Sequence, residues 1–365
     1  MNFVLASYVS FPDFNDPGAW LKRIDLYTGI LDKLAVNNSV TSVEQIDHEG
    51  DHLQNGVNYY FAKFSKLAKY FPFKLHRYIQ SQQPDVVIIQ SFHFPLQVIQ
   101  LRLMLGKDVK IIIQNHAEKP FTGLKKYWQL WADRYIDAYL FASAGMGMEW
   151  VKKGNLSSPK KTHEVMEVSS TFHQINKELA REKTGIASPL TFLWVGRLEA
   201  NKDPITVVKG FLKFAAKQAD AKLYMIYQTE ELLAEVKSLL SNTLFKDAII
   251  LIGEVEKDDL LYWYNSADYL ISGSHYEGSG TAVCEAMSCG CVPVVTDIDS
   301  FRAITDNGNC GLLYKAGDYT ALLKALQQTK EIDKQQKRDL CLAYFKDNLS
   351  FEAIAKRIEG IVKTL

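Results

Sequence analysis

The chain has 365 residues, of which 47% are hydrophobic, and its formal net charge at pH 7 is zero because 42 Lys and Arg balance 42 Asp and Glu. A chain of this length and composition can bury two ordinary hydrophobic cores, so two domains are expected. A net charge of zero gives the chain no overall electrostatic attraction to polynucleotides, so nucleic acid is not an expected partner.

The cysteines and the first residues bear on the compartment. Five cysteines, four of them crowded between Cys284 and Cys310, show no zinc-site spacing with histidines, and an odd number without a signal peptide favours reduced thiols. Residues 1–10 predict a first strand without a basic head, and no stretch approaches a transmembrane span. We therefore expect a cytoplasmic location.

One stretch, residues 59–77, interleaves aromatic residues with five cations. Helical packing with lysine stems lying along the surface explains this pattern. The alternative is a surface that meets anionic lipids or a lipid-linked acceptor, which predicts peripheral contact with the inner face of the plasma membrane. Residues 125–131 are a second candidate for such contact.

Three apolar runs in the first half of the chain predict parallel strands, at 84–90, 109–116 and 136–143. Their near-continuous apolar cores suit strands that helices cover on both faces. His93 and His116 follow the first two strands, at the sheet edge where ligands bind in open α/β sheets. A lone loop histidine is more often incidental, but this position favours a functional role for His116.

A strand over residues 190–196 leads into Gly196 and Arg197, then a short loop carries Lys202, and Pro204 opens a helix. Two cations thus stand at the carboxyl end of a strand. A guanidinium and an ammonium placed there can neutralise a diphosphate and stabilise its charge as it departs. The alternative is an arginine and a lysine on a solvated loop.

A second strand–loop–helix unit covers residues 269–288, with its loop at 272–280. Gly278 and Gly280 permit unusual backbone angles, so the N–H groups of residues 279–283 can point at an anion. Glu285 lies one helical turn after the helix begins, where a carboxylate can accept hydrogen bonds from a ribose. Glu277 stays in the loop, nearer a transferred group. A loop-end charge and a solvated helix position are the alternative for these two glutamates.

Together, Gly196-Arg197-x4-Lys202 and Glu277-x7-Glu285 resemble the motifs of glycosyltransferase family 4, the retaining enzymes of GT-B architecture. The resemblance is strong over 190–330 and mostly architectural before 180. It implies an α/β chain with two Rossmann-like doubly wound domains facing a central cleft. These are an acceptor-binding domain at 1–170 and a nucleotide-sugar-binding domain at 188–348, and a helix at 349–365 is expected to cross back to the first domain.

The resemblance also implies roles for individual residues. Arg197 and Lys202 would hold the donor diphosphate, Glu285 the ribose, and Glu277 the donor sugar, which His116 would also face. These assignments predict a catalytic set of His116, Glu277, Arg197 and Lys202. The donor-binding set adds Gly196, Gly253, Glu254, Val255, Gly278, Ser279, Gly280, Thr281, Ala282 and Glu285, and the acceptor side is represented by Gly18 and His93.

The implied reaction is transfer of a hexose, with retention, from a nucleotide-diphosphate sugar to an acceptor hydroxyl in surface polysaccharide or glycolipid biosynthesis. A UDP-sugar is favoured and a GDP-sugar is next, while the acceptor is a glycan, a glycolipid or a small molecule. No cofactor or metal is expected, because two cations and a helix terminus can stabilise the leaving diphosphate. A nucleotide-sugar epimerase, a phosphorylase of the same fold and a non-catalytic nucleotide-binding subunit remain alternatives.

Overall fold

The structure is a computed structural model that describes residues 1–63 and 70–365. The chain forms two compact units, one of Met1–Ser169 with Phe351–Leu365 and the other of Ser170–Ser350. The residues between the predicted domains, 171–187, thus lie with the second unit. The C-terminal segment lies with the first.

The strands and helices are defined here by their bounds. The strands are β1 (Asn2–Ser7), β2 (Ser39–Glu44), β3 (Gly50–Gln54), β4 (Val57–Phe61), β5 (Val86–Gln90), β6 (Lys110–Gln114), β7 (Ala138–Phe141), β8 (Thr162–Glu164), β9 (Leu190–Gly196), β10 (Ala221–Tyr227), β11 (Ile249–Gly253), β12 (Tyr269–Ser272), β13 (Val292–Thr296) and β14 (Leu312–Tyr314). The α-helices of the described residues are α1 (Pro17–Arg23), α2 (Asp25–Ala35), α3 (Phe73–Ser81), α4 (Pro95–Leu105), α5 (Gly123–Ala132), α6 (Ala144–Lys152), α7 (Lys177–Thr184), α8 (Pro204–Ala215), α9 (Leu233–Ser241), α10 (Leu260–Ser266), α11 (Thr281–Ser288), α12 (Asp299–Ile304), α13 (Tyr319–Gln328), α14 (Lys334–Tyr344) and α15 (Phe351–Thr364).

The first unit is built on a sheet with strand order β3-β4-β2-β1-β5-β6-β7-β8, in which only β3 runs antiparallel to its neighbour. The three predicted strands appear as β5, β6 and β7, and their apolar residues are almost completely buried. Such burial is typical of parallel strands that are covered on both faces.

The second unit contains a parallel sheet with strand order β11-β10-β9-β12-β13-β14. Counted along this unit, the order is 3-2-1-4-5-6, which is the order of the Rossmann fold. The chain reverses its direction of winding between β9 and β12. In sheets of this kind, ligands bind outside the carboxyl ends of the strands at that point.

The last helix, α15, packs against α2 within the first unit. At their contact, a Cβ added to Gly29 would lie 2.7 Å from the ring of Phe351, so the absence of a side chain lets the two helices approach closely. The apolar positions Ile354, Ile358 and Val362 of α15 are buried. The amphipathic pattern of this segment therefore marks its buried face.

The stretch 59–77 differs from a continuous helix. Residues 59–61 belong to strand β4, and helix α3 begins only at Phe73. Residues 64–69 of this stretch lie outside the described residues. Tyr70, Phe71 and Phe73 are exposed by 63%, 61% and 56%. The helical interpretation was wrong for the first part of the stretch, because residues 57–61 pair in register with β2.

Strand β8 is short, and only Thr162–Glu164 pairs with β7. All five cysteines are buried and unpaired. Within residues 1–63 and 70–365, none of the helices combines the length and apolar character needed to cross a bilayer.

Candidate functional site

The two charged loops of the second unit follow neighbouring strands. Arg197 and Lys202 come after β9, and Glu277 comes after β12, the strand hydrogen-bonded beside it. Parallel strands direct the loops at their carboxyl ends to one edge of the sheet. Motifs that are far apart in the chain therefore lie together at the topological switch point.

Gly273 brings the two loops into contact. A Cβ added there would lie 2.9 Å from the carbonyl oxygen of Asp203 and 3.0 Å from that of Lys202. The loop after β12 can approach the backbone of the loop after β9 this closely only because residue 273 has no side chain. Sequence reasoning missed this glycine, because the spacing along the chain does not show which backbone it approaches.

Lys202 and Glu277 form the central contact of the site. Nζ of Lys202 lies 2.5 Å from Oε1 of Glu277, and the Ser274 hydroxyl donates to the same oxygen over 2.6 Å. The two charged side chains are 23% and 14% exposed. A cation and a carboxylate are thus held side by side at the ligand edge of the sheet.

Backbone and side-chain bonds link the same loops a second time. The Asn201 amide donates to the Tyr276 carbonyl, and the His275 N–H donates to the Asn201 carbonyl, both over 2.9 Å. His275 Nε2 lies 3.1 Å from Oδ2 of Asp203, whose other oxygen caps α8 by accepting from Thr206 N–H. The cap fixes the end of the Lys202 loop.

Arg197 has a different environment. Its side chain is 57% exposed, and Nη2 lies 3.1 Å from Oε1 of Glu199. Gly196 ends strand β9 immediately before it. The two predicted diphosphate cations are therefore on one loop, but Lys202 pairs with Glu277 and Arg197 with Glu199.

Helix α11 starts in this loop as predicted, at Thr281. Gly280 has φ of +54° in the left-handed region, and an added Cβ would lie 2.8 Å from the ring of Phe301. The expectation of unusual angles at both glycines was wrong for Gly278, which is not among the residues with positive φ. The first N–H groups that bond to the Gly280 carbonyl are those of Val283 and Cys284.

The preceding N–H groups at the start of α11, those of Thr281 and Ala282, lie before the hydrogen-bonded ladder of the helix. The positive end of the helix dipole is also located there. Ser279 and Gly278 precede them in the loop. The arrangement can accommodate an anion next to Lys202.

Glu285 is not a solvated helix residue. It is 6% exposed, and the hydroxyl of Tyr264 donates to its Oε2 over 2.8 Å. Burial raises the pKa of Tyr264 well above its ordinary value, and the charge of Glu285 raises it further, so the phenol remains a donor. The sequence indicated Glu285 but not Tyr264, which lies on α10.

The predicted base-binding residues follow the edge strand of the same sheet. Gly253 ends β11 with φ of +88°, and Glu254 and Val255 come next. Strand β11 is separated from β9 by β10. These residues share the carboxyl edge of the sheet with the Lys202 loop.

In the first unit, the His116 ring lies between a carboxylate and an amide oxygen. Its Nδ1 lies 2.5 Å from Oε2 of Glu167, and its Nε2 lies 2.6 Å from Oε1 of Gln90. The imidazole is 38% exposed, whereas the Glu167 side chain is 7% exposed. Neither Glu167 nor Gln90 was predicted from the sequence.

The acceptor-side residues occupy separate positions in the first unit. His93 is exposed, and its Nδ1 lies 2.8 Å from Nζ of Lys125. Gly18 lies within α1, whose first turn is capped by Asp16, and not in the turn before the helix. Across residues 1–63 and 70–365, no group of three or more His, Cys, Asp or Glu side chains is arranged to hold a metal ion.

Comparison with known proteins gives a family match over the second unit. Residues 176–339 match the model of the family described as glycosyl transferases group 1. A D-inositol 3-phosphate glycosyltransferase of Arthrobacter sp. strain FB24 is 28% identical over 154 residues, covering 40% of this chain and 37% of that protein. A poly(glycerol-phosphate) alpha-glucosyltransferase of Bacillus subtilis is 32% identical over 252 residues, covering 67% of this chain and 35% of that protein. The matches span little more than a third of these curated relatives.

Among solved structures, Anabaena HepE in complex with UDP superposes with a TM-score of 0.76 at 12% identity, over 100% of both chains. At this identity the likeness shows the fold alone. The two largely parallel sheets and this likeness show GT-B architecture, which confirms the predicted fold class. The match over residues 176–339 to the glycosyl transferases group 1 agrees with the resemblance of the two motifs, both of which lie in that segment.

Proposed function

We propose that this protein transfers a hexose from a nucleotide-diphosphate sugar to an acceptor hydroxyl with retention of configuration. A UDP-sugar is the first candidate donor and a GDP-sugar the second. The observation that carries the proposal is the contact between Lys202 and Glu277 at the switch point of the second sheet, beside the start of α11. A diphosphate and a sugar would need that combination of a cation, a helix N-terminus and a carboxylate.

The donor diphosphate is proposed to bind Lys202, Arg197 and the N–H groups at the start of α11. Arg197 can turn toward it at small cost, because an exposed ion pair such as that with Glu199 contributes only about 0–1 kcal/mol. An anion bound beside Lys202 would form a new ion pair with the ammonium, and this pair would replace the one that Lys202 makes with Glu277. The carboxylate, which Ser274 still holds, could then accept from sugar hydroxyls.

The nucleoside is proposed to lie along the same sheet edge. Glu285 would accept from the ribose, with its carboxylate oriented by Tyr264. The backbone near Gly253 would contact the base. HepE was crystallised with UDP, and this supports uridine as the first base to test.

In the proposed reaction, the bond between the anomeric carbon and the phosphate oxygen breaks while the acceptor oxygen bonds to the same face of the sugar. The acceptor proton passes to an oxygen of the leaving phosphate. Lys202 and Arg197 would stabilise the negative charge that develops there. A double-displacement path needs a free carboxylate nucleophile, but in this proposal Glu277 stays bonded to Ser274 and accepts from sugar hydroxyls. We propose that no metal takes part.

The first test is calorimetric titration of the protein with UDP, GDP and ADP, with and without EDTA. We expect micromolar binding of one nucleotide that survives EDTA and is lost in the Arg197→Ala/Lys202→Ala variant. Lys209→Ala, an exposed lysine of α8, is the matched control and should bind normally. Absence of binding to all three nucleotides would contradict the donor assignment.

The second test is turnover with donor sugars, with the product configuration read by NMR. Glu277→Gln should lower kcat by ~100-fold or more, as expected for loss of a charge that contacts the reacting sugar. Epimerised donor formed without any acceptor would support the epimerase, and turnover that requires inorganic phosphate would support the phosphorylase. An inverted product would contradict retention.

A lipid-linked acceptor is further proposed from the exposed face of α5. Leu124, Tyr127, Trp128 and Trp131 follow helical spacing and form one stripe, exposed by 73%, 64%, 47% and 48%. The polar Gln129 is buried instead, at 2% exposure. The apolar stripe of this helix therefore faces outward, which is the reverse of an ordinary surface helix.

The chemistry of this stripe suits an anionic membrane surface. Tryptophan and tyrosine prefer the boundary between headgroups and acyl chains. Helix α5 has Lys125 and Lys126 as its charged residues and contains no Asp or Glu, so anionic lipid complements it. Peripheral contact at the inner face of the plasma membrane is proposed through this face, together with the exposed aromatics at 70–73.

Co-sedimentation with phosphatidylglycerol-containing vesicles tests the membrane proposal. We expect binding that weakens as salt rises and that is lost in Trp128→Ser/Trp131→Ser. Leu244→Ser is the matched control, because Leu244 is 96% exposed but lies in the second unit. Equal binding by the tryptophan variant, or no binding by the natural protein, would contradict the proposal.

A further inference from the structure

The His116 imidazole lies between two oxygen acceptors at the carboxyl edge of the first sheet. Nδ1 faces the buried carboxylate of Glu167 at 2.5 Å, and Nε2 faces Oε1 of Gln90 at 2.6 Å. Gln90 ends β5, His116 follows β6, and Glu167 follows β8. The strand order therefore assembles this cluster from three separate parts of the chain.

The direction of the Gln90 amide determines which ring nitrogens carry protons. Its Nε2 donates to the Tyr27 hydroxyl over 2.9 Å, so its carbonyl oxygen faces His116. A carbonyl oxygen can only accept, and a carboxylate can only accept. With Nε2 as the donor to Gln90, the charged imidazolium is the form in which Nδ1 also carries a proton beside the Glu167 carboxylate, at 2.5 Å.

The surrounding charges favour the same state. Burial alone lowers the pKa of His116, but the hydrogen bond and charge of Glu167, with the charge of Glu118, outweigh it and raise the pKa above its ordinary value. Glu118 lies in the same loop as His116, and its carboxylate accepts a hydrogen bond from the backbone N–H of His116 over 2.6 Å. Gln90, which faces the ring from β5, is uncharged, and so is its own partner Tyr27 on α2.

We propose that Glu167 is a positioning residue that holds His116 as an imidazolium with Nε2–H directed as a donor. The proposal rests on the proposed function and adds the role that the family resemblance implies for His116, a contact with the donor sugar. Before the sugar binds, Gln90 accepts this hydrogen. A sugar hydroxyl then replaces Gln90 as the acceptor, while Nδ1 stays bound to Glu167. The imidazolium delivers a charge-assisted hydrogen bond, which is about twice as strong as a neutral one.

NMR titration of the full chain, with isotope-labelled histidine, tests the cluster without any substrate. The chain has 8 histidines, and His116→Gln identifies the signal. We expect His116 to titrate above the ordinary value of about 6.5. Its nitrogen shifts at neutral pH should show two protonated nitrogens.

Substitution of the partner gives the second measurement. Glu167→Gln should lower the titration midpoint of His116 by at least ~1 pH unit, because a facing carboxylate shifts a pKa by about 1–3 units. Glu167→Asp keeps the charge but shortens the side chain. Its His116 midpoint should therefore lie between those of the natural protein and Glu167→Gln. Glu149→Gln, which removes an exposed carboxylate of α6, is the matched control and should leave the midpoint unchanged.

The pH profile of kcat/KM links the cluster to the reaction. In the natural protein the alkaline limb should follow the titration of His116, and in Glu167→Gln it should move to lower pH by the same amount. If His116 of the natural protein titrates at or below the ordinary value of about 6.5, the proposal is wrong. This test needs no variant, so it holds even if Glu167→Gln does not fold. A profile that does not follow the titration would overturn the positioning role. Failure of nucleotide binding would refute the proposed function alone, because the titration needs no donor.

Discussion

Replacement of Gly273 by alanine should separate the loops that carry Lys202 and Glu277. The added Cβ would lie 2.9 Å and 3.0 Å from the carbonyl oxygens of Asp203 and Lys202, and 3.0 Å from Cγ2 of Val207. Ordinary contact begins near 3.4 Å, so the two oxygens must retreat by about 0.4–0.5 Å. Backbone atoms cannot rotate away as the end of a flexible side chain can.

The cost follows from this forced movement. Adding a methyl group to a well-packed region costs about 1–3 kcal/mol. For a unit of the size of Ser170–Ser350, each kcal/mol lowers Tm by roughly 2–4 °C. The forced movement of the backbone also displaces Lys202 from Glu277. We therefore expect nucleotide affinity to fall about tenfold, equivalent to ~1.4 kcal/mol.

Urea denaturation and calorimetric titration with the nucleotide that binds would measure the two effects. Gly196→Ala is the control for stability, because its Cβ would meet only the Trp194 ring at 3.4 Å and the Lys202 side chain at 3.8 Å. The Gly196→Ala variant should unfold at nearly the same urea concentration as the natural protein. If Gly273→Ala unfolds at the same urea concentration as Gly196→Ala and binds nucleotide normally, the loops do not depend on this contact.

Two further substitutions separate other contributions to the second unit. Gly280→Ala combines left-handed backbone strain of ~1–2 kcal/mol with overpacking of ~1–3 kcal/mol. It should therefore lose clearly more stability in urea than Gly185→Ala, where φ is +70° and no atom lies within 4 Å of the new Cβ. Equal losses would refute the packing contribution. Burial raises the pKa of Asp268, but Lys177 and Lys334, at 2.6 Å and 2.9 Å, outweigh it and hold that pKa below its ordinary value. The stabilisation from Asp268 is therefore present above pH ~3.9 and is lost as pH falls through the lowered pKa of the folded state. Asp268→Asn should lower the free energy of unfolding by ~3–5 kcal/mol at pH 7 and by much less at low pH. A loss that does not change with pH would contradict this prediction.

Local patterns predicted the elements that carry the site. The apolar run before Gly196 and the proline at 204 predicted β9 and α8, and the structure has both. The helix predicted over 281–288 coincides with α11. These predictions succeed because strand cores, helix starts and turn residues are properties of a few neighbouring residues.

The same patterns failed where a distant segment decided the outcome. Residues 59–61 were interpreted as helical, but pairing with β2 makes them a strand. Gly278 and Gly280 looked equivalent in sequence, yet of the two only Gly280 has a positive φ, and it lies against Phe301. Tyr264 carried no signal, because nothing in its own neighbourhood indicates that its hydroxyl will meet Glu285.

By itself, the sequence determined the class of fold and the two motifs whose residues we propose for nucleotide-sugar binding. The tertiary structure decided which side chains meet: Lys202 with Glu277, and His116 with Glu167, which the sequence did not indicate. The physical reason is that strand order and close backbone approach, as at Gly273, bring together side chains that lie far apart in the chain. Hydrogen bonds and charges act only over that short distance, so the properties of the site arise only after the sheets have formed.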